Sequence, residues 1–253
     1  MKILNFVILI LGAFSVSQEY KSDLDRLICE RIINQTNLKF NAVSDYKVDI
    51  SVNVDIPAIR LPKSNYTVYF KSPDKIKVNA KRFGILPKAG LFESPKENFN
   101  DLELKRIIYK NDSLEINEVM VRGYAIFDSL KFSSPNEYFE MLDILVDVRV
   151  DTVDWVISSV AAYIKNERKG DIPLFQINNS YDLFQSYLMP KKSIAKYYVK
   201  DKKISNWLNK ESEDILKKIT EANTGSESMI DGTIEVIYSN YIINKGIDDI
   251  LFD

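Results

Sequence analysis

The stretch "YKVDISVNVDIP", residues Tyr46–Pro57, decides the fold of this chain. Polar and apolar side chains alternate along it, and the apolar set is Val48, Ile50, Val52, Val54 and Ile56. A period of two places every apolar side chain on one face of a β-strand and the polar ones on the other. The stretch therefore predicts a strand with one dry face, which contacts either a protein core or a bound ligand.

The same alternation continues in "NYTVYFKSPDKIKVNAK", residues Asn65–Lys81. Two further strands are predicted here, separated by the turn residues Ser72, Pro73 and Asp74. So short a connection indicates an antiparallel pair, because a parallel pair needs a crossover of a dozen or more residues. More strands are predicted near residues 102–109, 114–121, 143–150, 152–160, 174–177, 194–200 and 232–241.

Two helices are predicted, one before the run of strands and one between the last two strands. The first extends from Ser22 to about Gln35, and its apolar residues at helical spacing are Leu24, Leu27, Ile28 and Ile32. The second, near residues 204–219, is amphipathic through Ile204, Trp207, Leu208, Ile215 and Ile219.

This order predicts a mainly β (α+β) protein. Repeated short connections favour one antiparallel sheet, and a sheet of so many strands must curl or split. A curled sheet forms a barrel or half-barrel whose concave face needs a filling. We expect a single half-barrel domain over residues 18–253, wrapped around the helices.

The first residues are typical of a secretory signal peptide. Lys2 is followed by an apolar run from Ile3 to Phe14, and small residues at Ser15 and Ser17 suit cleavage before Gln18. The run is too short for a membrane-spanning helix, which needs about 20 apolar residues. Residues 1–17 are therefore predicted to be a cleaved signal peptide, which predicts an exported protein.

The composition argues against several classes of function. The chain has no histidine, which removes the usual Ser/His and Cys/His pairs and most zinc sites. It has one cysteine, Cys29, so no internal disulfide can form, and its net charge of −2 disfavours nucleic-acid binding. We predict no catalytic residue, no metal site and no cofactor, although a hydrolase with paired carboxylates remains an alternative.

Two other segments have two interpretations each. "RFGILPKAGLF", residues Arg82–Phe92, is either a loop tucked under its own side chains or a hydrophobic flap. The flap hypothesis involves Phe83, Ile85, Leu86, Leu91 and Phe92. "KKSIAKYYVKDKK", residues Lys191–Lys203, is expected to be a solvated edge strand, with attraction to anionic headgroups as the alternative.

The order of these elements and four phrases resemble the LolA-like family of periplasmic lipoprotein-sorting proteins, in a divergent branch. The resemblance covers most of the chain from about Leu24 to Phe252. The phrases are "YFKSPDKIKV" (Tyr69–Val78), "FGILPKAGLF" (Phe83–Phe92), "SYLMPKKSIAKYYV" (Ser186–Val199) and "GTIEVIYSNYIINKGIDDILF" (Gly232–Phe252).

The resemblance implies a hydrophobic cavity that receives acyl chains of a lipid or lipoprotein. The lining residues are then expected at Val48, Ile50, Val52, Val54, Val68, Phe70, Ile76 and Val78. Carriers of the family have an arginine directly before the early proline, tied to the movement of a lid. Here Ser72 precedes Pro73, and Lys71, one position earlier, is the candidate latch residue.

The function expected is non-enzymatic carriage of acyl chains across the bacterial periplasm by a monomer. Its partners are then membrane-associated donor and acceptor proteins, with no nucleic acid. The alternative is an exported structural or interaction domain with a packed interior and no ligand.

Overall fold

A computed structural model describes residues 23–56, 59–60, 62–80, 94–100, 102–108, 117–126, 143–166, 170–199 and 230–252. A helix, α1, runs over residues 23–41. The strands that follow are β1 (Asp45–Ile56), β2 (Ile59–Arg60), β3 (Ser64–Lys71) and β4 (Lys75–Ala80). After a short helix, α2 (Pro95–Asn100), come β5 (Leu102–Ile108), β6 (Glu118–Ala125), β7 (Ile144–Asp151) and β8 (Val156–Ile164). The chain continues with β9 (Ile172–Phe184), β10 (Tyr187–Val199), β11 (Ile230–Ile243) and a 3-10 helix at Asp249–Phe252.

All the described strands belong to one antiparallel sheet of eleven strands, in the order β4-β3-β1-β11-β10-β9-β8-β7-β6-β5, with β2 paired to β1. Among the described strands β4 and β5 form the two edges, so the sheet does not close. The predicted fold class, a mainly β protein with a single large antiparallel sheet, is confirmed.

The register gives the sheet two different rims. At one rim, here the turn rim, strands are joined by the short turns at residues 72–74, 152–155 and 185–186, and β5 and β6 are joined through residues 109–117. The strand ends at the opposite rim, here the loop rim, are those that the sequence joins through residues 57–63, 81–101, 126–143, 165–171 and 200–229. Most of the chain between strands therefore joins the sheet at one end.

Helix α1 buries only part of the face predicted. Its buried residues are Asp25, Cys29, Ile32 and Thr36, spaced by four, three and four, whereas Leu24 and Leu27 are 48% and 57% exposed. The helix also continues past Gln35 to residue 41, and within it the Thr36 hydroxyl donates to the carbonyl of Ile32 at 2.9 Å. Of the predicted apolar residues, Ile32 is therefore buried and Ile28 partly buried, while the other two face outward.

Strand β8 begins four residues later than predicted because residues 152–155 form a turn. The Asp151 carboxylate accepts the backbone N–H groups of Val153 at 2.8 Å and Asp154 at 3.0 Å. Such an Asx turn offers the backbone an alternative to the strand ladder. The strand predicted over residues 114–121 is likewise displaced, to Glu118–Ala125.

Strand β10 is central and not at an edge, so the edge-strand interpretation of residues 191–203 is wrong. It pairs with β9 on one side and β11 on the other. Its long hairpin with β9 turns at Gln185 and Ser186, both with positive φ (50° and 71°). This two-residue turn was not recognised because it lacks the usual glycine or asparagine.

Candidate functional site

The inner face of the sheet is the one that packs against α1. Cys29 and Ile32 of the helix share a buried cluster with Val121, Val148 and Val150 of strands β6 and β7, and with Phe99 of α2. Ring contact between Phe40 and Phe70, with centroids 5.7 Å apart, brings the end of the helix onto β3. The helix thus lies mainly over the β5–β8 half of the sheet.

One row of directly paired residues crosses the inner face through eight strands. Residues directly opposite each other in an antiparallel pair project from the same face, so the row is continuous. Every member is apolar. The row, here the apolar belt, consists of Ile107, Val121, Val148, Val160, Ile177, Ala195, Ile234 and Val54.

The two halves of the apolar belt differ in burial. The members near α1, namely Ile107, Val121 and Val148, are at most 5% exposed. The other five, Val160, Ile177, Ala195, Ile234 and Val54, are only partly buried. The face between β8 and β1 therefore keeps accessible apolar surface that the β5–β7 side lacks.

The residues predicted to line a ligand site lie on this same inner face. Six of the eight, on β1 and β3 and at the end of β4, join one apolar cluster with residues of β10 and β11. Val48, Ile50, Val52, Val68 and Phe70 are at most 1% exposed, Val54 and Val78 are partly buried, and Ile76 is 41% exposed. Contact with a ligand at these residues stays a prediction.

Six aromatic rings fill the inner face near the turn rim. Tyr46 stacks on Phe70 with centroids 5.0 Å apart, and Phe184 contacts Tyr241 at 4.8 Å. This aromatic cluster consists of Phe40, Tyr46, Phe70, Phe184, Tyr238 and Tyr241. Because these rings pack on one another at the turn rim, access to the inner face is expected from the loop rim.

Burial of these phenols shifts their ionisation. Loss of hydration raises the pKa of Tyr238 to about 12. It raises the pKa values of Tyr46, Tyr181 and Tyr241 as well, with neighbouring tyrosines adding to the effect. These groups are neutral at any physiological pH, which suits an apolar interior.

A hydrogen-bonded row lies next to the apolar belt on the side of the turn rim. The Ser193 hydroxyl donates to Asn179 Oδ1 at 2.7 Å and lies 3.4 Å from the Tyr238 hydroxyl. Asn179 Nδ2 and the Tyr181 hydroxyl both donate to the Ile157 carbonyl, at 3.1 and 2.9 Å. These polar groups satisfy one another.

The candidate flap residues Phe83, Ile85, Leu86, Leu91 and Phe92 lie outside the described residues. The described ends of that connection are informative. Ala80, the last residue of β4, pairs with Tyr66 near the loop rim, and Leu102 begins β5 at the same rim opposite Ala125. The predicted second helix, over residues 204–219, also lies outside the described residues, in a connection between strands that end at this rim.

The candidate latch residue Lys71 contacts the C-terminal segment. Its Nζ lies 2.9 Å from Asp249 Oδ1 and donates to the Ile247 carbonyl at 2.9 Å. Lys75 reaches the same Asp249 oxygen at 2.9 Å. These two lysines hold the pKa of Asp249 below its ordinary value, through hydrogen bonds from Lys75 and then Lys71.

Sequence analysis did not identify most members of the apolar belt as candidate site residues. Val160, Ile177, Ala195 and Ile234 lie in segments predicted as strands, but their alignment depends on the register between strands. The alternation of Ile234, Val236 and Tyr238 is a signal of the same kind as that in β1.

Two features are absent from the residues that the structure describes. No helix there is both long and apolar enough to span a membrane. No cluster of three or more His, Cys, Asp or Glu side chains in the described ranges is arranged to hold a metal ion.

Comparison with known proteins supports the fold. No protein-family model matches the chain, and no curated protein sequence does. A LolA superfamily protein from Nitrosomonas europaea matches in structure with a TM-score of 0.52 and 11% identity, over 88% of this chain and 96% of that one. The chain has a LolA-like fold, which confirms the resemblance at the level of architecture.

Two further solved structures are similar over 88% of this chain. One is a domain from Vibrio parahaemolyticus described as an outer membrane lipoprotein-sorting protein, with a TM-score of 0.47, 8% identity and 97% of its own chain covered. The other is a DUF1329 family protein from Desulfovibrio piger, with a TM-score of 0.44, 10% identity and 96% of its own chain covered.

Proposed function

We propose that this protein is a non-enzymatic carrier that holds acyl chains of a lipid or lipoprotein against the inner face of its sheet. The observation that carries the proposal is the apolar belt, which is packed where α1 lies and only partly buried from β8 to β1. A LolA-like fold supports it, because the family resemblance implies a cavity for acyl chains.

The proposed site explains affinity by apolar burial alone. Each methylene removed from water contributes about 0.8 kcal/mol, so a single long acyl chain binds usefully without a charged contact. The belt provides apolar side chains for such contacts at Val54, Ile177 and Ile234. Entry is proposed at the loop rim, with the segment from Arg82 to Phe92 as a flap.

Transport implies export, so the protein is proposed to act in the periplasm after cleavage before Gln18. Donor and acceptor proteins at the two membranes are proposed as its partners. N-terminal sequencing of the protein recovered from its host should begin at or near Gln18. A mature chain that retains Met1 in a membrane fraction contradicts this part of the proposal.

Enlarging one side chain of the partly buried belt tests the binding site. Ala195→Phe adds a ring between Ile177 and Ile234, its directly paired neighbours. If the ring excludes two methylenes of an acyl chain, the Kd of a fluorescent fatty acid rises about 10-fold. The melting temperature should change little, because the ring enters space that the ligand otherwise fills.

The matched control is Ala162→Phe, an alanine on the same face that is 2% exposed. An added ring at this packed site forces strain costing about 1–3 kcal/mol, so the melting temperature should fall. If Ala195→Phe loses as much stability as Ala162→Phe and no acyl probe binds the unaltered protein, the interior is packed. The alternative, an interaction domain without a ligand, is then correct.

A further inference from the structure

Most of the large apolar side chains that the described residues expose lie at one end of the sheet. Of eight such side chains, six lie near the turn rim, and the other two, Leu24 and Leu27, lie at the start of α1. The six are Leu38, Ile76, Val153, Leu183, Ile242 and Ile250. Single exposed apolar residues scattered over a surface are ordinary, so their concentration at one rim is the feature that needs an explanation.

A cleft at the turn rim separates the end of α1 from the hairpin of β9 and β10. It has a volume of about 210 Å³ and is lined by Lys39, Ala42, Val43, Ser186, Tyr187 and Leu188. Its lining is partly apolar and includes the Lys39 ammonium and the Ser186 hydroxyl. Since a water molecule occupies about 30 Å³, the cleft has room for a phosphate group and the first atoms attached to it.

An exposed leucine borders the cleft on each side. Leu183 is directly paired with the cleft residue Leu188, so both side chains project from the same face of the hairpin. Leu38 directly precedes the cleft residue Lys39 in the last turn of α1. Leu183 is 69% exposed and Leu38 is 64% exposed. Two apolar tips on separate elements therefore flank a cleft that contains a cation.

The charged residues of the helix end and the hairpin leave one cation unpaired. Asp182 of the hairpin is paired with Lys191 at 2.8 Å, and Asp45 is buried and accepts backbone N–H groups of the C-terminal segment. Among the residues that the structure describes, no carboxylate forms an ion pair with Lys39. The surface around the cleft is therefore suited to an anionic partner.

We propose that this part of the turn rim docks on the surface of an anionic membrane, with Leu38 and Leu183 among the headgroups and Lys39 against a lipid phosphate. Apolar side chains are stabilised at the boundary of headgroups and acyl chains, and basic side chains are attracted to the anionic surface. A partner protein or a second copy would have to contact one continuous apolar face, whereas here the two leucines stand on separate elements with the cleft between them.

This inference goes beyond the proposed carriage of acyl chains and does not depend on it. The turn rim is the end of the sheet that the aromatic cluster fills, and entry of cargo is proposed at the loop rim. Docking by the turn rim therefore leaves the loop rim free.

Flotation of the full mature chain with lipid vesicles tests the inference. The unaltered protein should float with vesicles of equal parts phosphatidylglycerol and phosphatidylcholine, and much less with phosphatidylcholine alone. The double variant Leu38→Ser/Leu183→Ser should bind the mixed vesicles about 10-fold more weakly or worse, because it loses both apolar tips. Lys39→Gln should bind them about 5-fold more weakly, and high salt should reduce this difference.

The matched control is the double variant Leu24→Ser/Leu27→Ser. These two leucines are exposed on the same helix, and Leu24 lies about 21 Å along its axis from Leu38. The control should bind the mixed vesicles as the unaltered protein does. Both double variants should keep the melting temperature, because each removes only exposed side chains.

A polarity-sensitive dye on Leu183→Cys locates the contact directly, since Cys29 is buried and escapes labelling. Its emission should shift to shorter wavelength with the mixed vesicles, whereas the same dye on Leu24→Cys should not respond. The shift should persist when Ala195→Phe is added, which separates docking from acyl binding on the inner face.

Three results overturn the inference. They are no flotation with the mixed vesicles, an equal loss of binding in the control with Leu24→Ser/Leu27→Ser, and an unresponsive dye at Leu183→Cys. If the unaltered chain does not float and is a dimer that Leu38→Ser/Leu183→Ser dissociates, the surface joins two copies instead. The carrier function is tested separately, by titration of Ala195→Phe with the fluorescent fatty acid.

Discussion

The Asn244 side chain accepts the backbone N–H of Ser44 at 2.7 Å, which joins the end of the last strand to the start of the first across 200 positions of sequence. The same amide accepts the Ser44 hydroxyl at 2.9 Å and donates to the Ala42 carbonyl at 3.1 Å. Next to it, the Asp45 carboxylate accepts the N–H groups of Lys245 and Gly246. Residues 244–252, here the C-terminal clasp, thus hold the junction between α1 and β1.

Asn244→Ala should destabilise the protein by about 0.5–1.5 kcal/mol for each hydrogen bond of the junction that it removes, because water can partly replace the amide at these exposed groups. The residue also has φ of 53°, a conformation that asparagine tolerates better than alanine. The measurement is the free energy of unfolding in urea.

Asn240→Ala provides the matched control for that variant. Asn240 has nearly the same backbone conformation, with φ of 55°, but its side chain donates to Asp49 on an exposed surface. A smaller loss of stability is expected, which isolates the contribution of the Asn244 hydrogen bonds from that of backbone strain. Equal losses in the two variants would show that conformation, and not the clasp, accounts for the effect.

A second prediction concerns the acid dependence of the clasp. Because Lys75 and Lys71 lower the pKa of Asp249 in the folded protein, the carboxylate stabilises the fold at pH values above its ordinary pKa of 3.8. This contribution is lost as the pH falls through the lowered folded pKa. Asp249→Asn should therefore be less stable than the unaltered protein near neutral pH and equally stable at the lowest pH.

The lysines around Asp249 supply the control for this measurement. Lys71 is less exposed than Lys75 and also donates to the Ile247 carbonyl, so Lys71→Met should cost more stability than Lys75→Met. The losses of stability caused by Asp249→Asn, Lys71→Met and Lys75→Met should all become smaller in high salt, which screens exposed charges. A difference for Asp249→Asn that persists unchanged into strong acid contradicts the ion-pair explanation.

A third prediction concerns alkaline pH. Because burial raises the pKa of Tyr238 to about 12, the folded protein keeps this proton where the unfolded chain, with a pKa of 10.0, releases it. The resulting stability is fully present below about pH 10 and is lost as the pH rises toward 12. In that range each such tyrosine makes the free energy of unfolding fall by about 1.4 kcal/mol more per pH unit.

Tyr238→Phe should make the fall in unfolding free energy above pH 10 less steep, as measured by urea unfolding at a series of pH values. Between pH 7 and 9 the two proteins should show the same slope, which serves as the internal control. An unchanged slope above pH 10 would mean that Tyr238 ionises in the folded state, against its 5% exposure.

Prediction from the sequence was most accurate where the burial of a single strand determines the pattern of its own side chains. The alternation in β1 located that strand to within a residue, since a half-buried strand imposes a period of two on its side chains. The phrase at the chain end was also informative, because Asn244, Gly246 and Asp249 prove to be the contact residues of the C-terminal clasp.

The sequence predicted least where the structure depends on alignment between strands. The apolar belt exists because Ala195 lies opposite both Ile177 and Ile234, and such pairing follows from register and not from any one segment. The stripe on α1 was identified only in part for a related reason, since Ile32 is buried as predicted but packing against the sheet leaves Leu24 and Leu27 exposed.

The most direct test of the central claim is mass spectrometry of lipids that co-purify with the protein after export in its own host. The account predicts acyl lipid or acylated protein in near-stoichiometric amount with the unaltered protein. The Ala195→Phe variant, purified in the same way, should be strongly depleted of it. An unaltered protein free of acyl compounds, or equal amounts of lipid in both preparations, would contradict a binding site on the inner face.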